Sequence, residues 1–115
     1  MVSSISNLKR IIIISSIVLL THFFIATPVQ AIVNGDVNGD DTVNSTDSLI
    51  VLSCDVGMDT SQFCPMNCGD VNADGLINST DALIILSNDV GISVPFPVGE
   101  PGCPSSVTPC AGCTP

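Results

Sequence analysis

The chain has 115 residues, with 2 Lys or Arg against 11 Asp or Glu, a single His and a formal charge of −9. So acidic a chain excludes nucleic acid and anionic lipid surfaces as partners, since both are bound through clustered cations. With no Trp or Tyr and only 4 Phe, it also lacks the large side chains from which a thick core is built.

Residues 1–31 read as a secretory signal segment. Lys9-Arg10 is followed by an apolar run from Ile11 to Ala26 and then by Val29-Gln30-Ala31, the charged, apolar and cleavage regions of such a segment. A membrane anchor is the competing reading. It is disfavoured because the run falls short of the roughly 20 residues needed to cross a bilayer and contains Thr21 and His22. Cleavage would leave 84 residues, no Lys, Arg or His, and all 11 acids, ten Asp and Glu100, a charge of about −11. The expected location is outside the cytoplasm: secreted, with the cell surface or a periplasm also open, and with no membrane contact in the mature form.

Two stretches then repeat. Asp36-Val37-Asn38-Gly39-Asp40-Asp41-Thr42-Val43-Asn44-Ser45-Thr46-Asp47 returns 34 residues later as Asp70-Val71-Asn72-Ala73-Asp74-Gly75-Leu76-Ile77-Asn78-Ser79-Thr80-Asp81. Each fits a calcium loop, in which oxygens at positions 1, 3, 5, 9 and 12 and the carbonyl at 7 wrap a hard cation. The candidate ligands are Asp36, Asn38, Asp40, the Thr42 carbonyl, Asn44 and Asp47, then Asp70, Asn72, Asp74, the Leu76 carbonyl, Asn78 and Asp81, for two Ca²⁺. Seven acids crowd into the loops without one cation, so the folded state is expected to depend on metal. Position 6 calls for glycine; it is Asp41 in the first loop and Gly75 in the second, which predicts a weaker first site. Val43 and Ile77 at position 8 are expected to lie side by side and couple the loops.

Asn44 and Asn78 are also good helix N-caps, with Asp47 and Asp81 in the first turn. Both Asn-Ser-Thr triplets fit a glycosylation acceptor, but an amide turned to an ion is a poor sugar acceptor. Helices are predicted from about Ser45 to Asp55 and Ser79 to Asp89. Leu49 to Leu52 and Leu83 to Leu86 are apolar almost all round, so part of each helix must be covered by something other than its neighbour.

Residues 35–57 align with 69–91 at 16 identities in 23 positions, including the closing Leu-Ser-x-Asp-Val-Gly, so a supersecondary unit has been duplicated. Each copy is a loop plus one helix, half an EF-hand. On the Gly-Asp-Val-Asn-Gly-Asp opening, the Asn-Ser-Thr-Asp loop ends, the apolar run and the duplication, residues 32–92 resemble the type I dockerin module of cellulosomal enzymes. The resemblance implies a small all-α, calcium-stabilised fold of two antiparallel loop-helix repeats. It implies a cohesin-like protein partner and an association with polysaccharide-degrading enzymes. It places the partner face at the Ser-Thr pairs, giving equivalent patches Ser45, Thr46, Leu49, Ser53 and Ser79, Thr80, Leu83, Ser87. Family members that dock in cellulosomes often carry Lys-Arg where this chain has Leu52-Ser53 and Leu86-Ser87.

Residues 58–68 connect the repeats, with a helical turn expected near Asp59 to Phe63. Residues 93–115 form a Pro-rich, Cys-rich, non-helical tail, either a clasp over the helices or a stub for attachment. Six Cys, at 54, 64, 68, 103, 110 and 113, suit disulfides in an oxidising compartment, in any of 15 connectivities. Zinc at Cys64-x3-Cys68 and Cys110-x2-Cys113 is the alternative.

The functional reading is a calcium-binding interaction module without catalysis: after residue 31 there is no His, Lys, Arg or Tyr to serve as base or nucleophile partner. The alternative is a stand-alone calcium-stabilised extracellular structural protein with no cohesin partner. A calcium sensor is disfavoured, because half an EF-hand has no entering helix to swing.

Overall fold

The computed structural model describes residues 32–113; the signal segment expected over residues 1–31 lies outside them. Two α-helices, α1 (Ser45–Asp55) and α2 (Ser79–Asp89), carry the fold. The connector contributes 3-10 turns at Ser61–Phe63 and Asn67–Gly69. Among the described residues there is no strand, and the one isolated bridge pairs Val33 with Pro101.

Local chemistry sets both helix ends. Asn44 Oδ1 accepts the Thr46 N–H at 2.7 Å while the Asp47 carboxylate accepts the Asn44 N–H at 2.9 Å, a reciprocal capping box that satisfies two orphan donors. The second helix repeats it: Thr80 N–H to Asn78 Oδ1 at 2.8 Å and Asn78 N–H to Asp81 Oδ2 at 3.1 Å. At the far ends Gly57 and Gly91 take φ of 78° and 81°, turning the chain so that the Met58 and Ile92 N–H groups reach back to the Ser53 and Ser87 carbonyls.

Each helix start touches the other helix's end. The Ser45 N–H donates to Asp89 Oδ2 at 2.9 Å and the Ser79 N–H to Asp55 Oδ2 at 3.0 Å. These contacts require α1 and α2 to run side by side in opposite directions. Midway, Ser48 Oγ donates to the Ala82 carbonyl at 2.7 Å, where the two equivalent positions of the repeats meet. The core is thin: Val37, Ile50, Val51, Met66, Val71, Ile77, Ala82, Ile84, Ile85 and Cys110 are the buried apolar residues.

No bridge or main-chain hydrogen bond joins Val43 to Ile77, which were expected to lie side by side. Position 8 immediately precedes each N-cap, and opposed helices carry their starts to opposite ends. The entries to the loops meet instead, through the Gly35 N–H and the Cys68 carbonyl at 2.8 Å.

The tail is a clasp. Its disulfides are Cys54–Cys110, Cys64–Cys113 and Cys68–Cys103, with no free thiol among the described residues, which removes the zinc alternative. Between them the Gly99 and Gly102 N–H groups bond the Asn34 and Ile32 carbonyls, and the Thr108 N–H bonds the Gly75 carbonyl. Val94, Phe96, Val98 and Val107 pack against the core from this side. Among the described residues no helix is long and apolar enough to cross a membrane.

Candidate metal loops and docking face

Each loop is wound around its own first and last acids. Asp36 Oδ1 accepts the N–H groups of Gly39 and Asp40, and its Oδ2 that of Asp41 at 2.9 Å. Asp47 Oδ1 reaches back to the N–H groups of Val37 and Asn38. The second loop repeats the scheme with Asp70 on Asp74 and Gly75 and with Asp81 on Asn72. At position 5, Asp40 and Asp74 are exposed and accept from the Nδ2 of Asn38 and Asn72, each at 3.0 Å.

The end acids are also the buried ones. Asp36 is 8% exposed, and Asp47, Asp70 and Asp81 are 0%. Burial holds the carboxyls of Asp47 and Asp81 above the ordinary carboxylate range, against the pull of backbone N–H groups that favour the ionised form. Residues 32–113 contain no Lys, Arg or His to neutralise them. Buried carboxylates without a counter-charge are among the costliest arrangements in a protein, and hard oxygen donors of this kind fit a divalent cation. Among the described residues no three acids or thiols converge into a cluster on their own, so amide and main-chain oxygens would have to complete any ligand set.

Asp41 and Gly75 at position 6 both take positive φ, 66° and 86°. Position 4, passed over in the sequence reading, behaves the same way: Gly39 has φ 72° and Ala73 has φ 59°. Each loop thus holds one non-glycine residue in the left-handed region, Asp41 in the first and Ala73 in the second. Alanine tolerates that region less well than aspartate, so the basis for a weaker first site disappears.

The predicted patches lie on the outer side of the helix pair. Ser45, Thr46, Ser79 and Thr80 are exposed; Leu49 and Leu83 are 63% and 64% exposed, and Leu52 and Leu86 are 39% and 41%. Ser53 and Ser87 are half-buried and donate to the Leu49 and Leu83 carbonyls one turn back. A shallow groove of ≈ 430 Å³ between the helices is lined by Ser48, Leu52, Ser79, Thr80, Ala82, Leu83 and Leu86. Cys54, where the tail is tied on, sits about 140° round α1 from Leu49 at 100° per residue, so the clasp leaves this face open.

Residues 34–87 match the model of the dockerin type I domain. The chain carries a type I dockerin domain. No curated protein and no solved structure matched it. Dockerin domains are docking modules rather than catalysts, and they generally bind calcium and cohesin domains. They are typically extracellular, which agrees with three disulfides. Asp55 and Asp89, each of which caps the other repeat's helix, are the residues of this face that the sequence reading missed. Their signal was present in the repeated Leu-Ser-x-Asp-Val-Gly closing, but their partners lie 24 and 44 residues away in the other repeat.

Proposed function

We propose that this dockerin is an extracellular, calcium-folded protein-docking module that presents the outer face of α1 and α2 to a cohesin-like receptor. The observation that carries it is the open face: with so thin a core, four leucines flanked by Ser-Thr pairs stay uncovered while the clasp seals the other side. An apolar patch rimmed by hydroxyls is the composition of a protein interface.

Two ions are proposed, one per loop. Asp36, Asn38, Asp40, Asp47 and the Thr42 carbonyl would hold the first, and Asp70, Asn72, Asp74, Asp81 and the Leu76 carbonyl the second. Asn44 and Asn78 already spend their Oδ1 on helix caps, which suits a position-9 ligand acting through a water. Bound calcium would supply the positive charge that the buried carboxylates lack. The chain's own part is to hold Asp47 and Asp81 at once in a loop and in the first turn of a helix, so that order in the loop becomes order in the helix. The setting of polysaccharide breakdown is taken from the family resemblance; the disulfides and loop acids of this chain contribute no catalysis.

Titration calorimetry of the full oxidised chain against purified cohesin domains, with and without chelator, tests this reading. A saturable complex that chelator abolishes is expected. No binding to any cohesin by the calcium-loaded chain would contradict it and favour the stand-alone structural protein.

A further inference from the structure

The docking face carries a charge pattern as well as an apolar one. At opposite ends of the helix pair stand the two carboxylates that cap the opposing helices, Asp55 beside Ser79 and Asp89 beside Ser45. Both are exposed. An 11-residue helix is about 16 Å long, so the two acids stand roughly that far apart with Leu49, Leu52, Leu83 and Leu86 between them. No cationic side chain among the described residues offsets them: residues 32–113 hold 11 acids and no Lys, Arg or His, and filling both loops would change −11 only to −11 + 4 = −7.

We infer that the partner of this face is a protein surface with an apolar centre and a Lys or Arg at each end, placed to meet Asp55 and Asp89. The inference rests on the docking function proposed above and specifies its partner. A second copy of the chain is the wrong occupant, because it would bring the same acidic ends and a like net charge to the interface. An acidic-rimmed receptor is wrong for the same reason: like charges juxtaposed at an interface oppose association, while complementary rims steer encounter and select partners. The bonds from Ser45 and Ser79 hold Asp55 and Asp89 in place, so little side-chain freedom is lost when a cation arrives.

The test uses one cohesin domain made in two forms, with Lys or with Asp at the two ends of its docking face, titrated into the calcium-loaded full chain at low and high salt. The Lys form should bind at least about tenfold more tightly, and high salt should narrow the gap. Asp55→Asn with Asp89→Asn keeps an oxygen to accept the Ser45 and Ser79 N–H groups and should erase the preference; Asp55→Lys with Asp89→Lys should reverse it. Circular dichroism of both variants establishes that they fold. If the Asp form binds the parent chain as well as the Lys form does, the charge inference is overturned and docking stands. If neither form binds parent or variants, the docking reading itself has failed and the inference falls with it.

Discussion

Ala73 and Asp41 show how a single φ angle can revise a reading made from spacing. Asp41 stands where the calcium-loop pattern asks for glycine, and the eye stops there. The left-handed residue at position 4 carries no such label, yet Ala73 at φ 59° is the less tolerant of the two. Ala73→Gly should therefore stabilise the domain by up to about 1 kcal/mol, read as a raised denaturation midpoint. Gly75→Ala should cost about 1–2 kcal/mol. A Cβ there meets nothing within 4 Å, so the loss would be one of backbone conformation alone. An unchanged midpoint in both variants would mean that the loops are not held in these conformations. The pH response follows from Asp47 and Asp81. In the metal-free chain their raised values make the ionised forms a cost, present above those values and relieved as pH falls through them toward the ordinary carboxylate value near ~4. Calcium needs the ionised forms, so its affinity falls over the same interval. Lowering the pH toward that ordinary value should bring helical signal back to the metal-free chain and lower the melting temperature of the calcium-loaded one. A metal-free chain that gains no helical signal on acidification would contradict this.

The helices were legible at the element scale because their determinants are local. Asn caps, the first-turn acids and the Gly57 and Gly91 stops all lie within a few residues of the ends they fix, and the structure places those ends at Ser45–Asp55 and Ser79–Asp89. What was not legible depends on meetings across the chain. Six cysteines do not name their partners, Asp55 and Asp89 do not announce that each caps the other helix, and no bridge or main-chain hydrogen bond joins Val43 to Ile77. The reciprocal caps are testable: Asp55→Ala or Asp89→Ala should each cost about 1 kcal/mol in thermal or urea unfolding, as loss of a helix cap usually does. A null effect would show the contact to be incidental. The two Ser-Thr-Leu patches are chemically the same, so a partner that covers both can dock in two orientations related by a half-turn. Ser45→Asp with Thr46→Asp should then weaken binding to the same degree as the matching pair at Ser79 and Thr80, because each pair lies under the partner in either orientation. All four changes together should remove binding. Unequal losses from the two pairs would mean the faces are not equivalent.

For the whole molecule, the clasp and the loops divide the labour of a core too thin to hold 82 described residues unaided. Loops closed across sequence separations of 56, 49 and 35 residues limit the unfolded chain, which a few buried aliphatic residues could not offset alone. Disulfides cannot neutralise charge, however. Asp47 and Asp81 are fully buried in the first turns of α1 and α2, and their charge must be met before those turns are secure. The most direct test is therefore a calcium titration of the metal-free, fully oxidised chain followed by far-ultraviolet circular dichroism. The account predicts little helical signal in chelator and a rise that saturates at two calcium ions per chain. Full helical signal in chelator, unchanged by calcium, would contradict it.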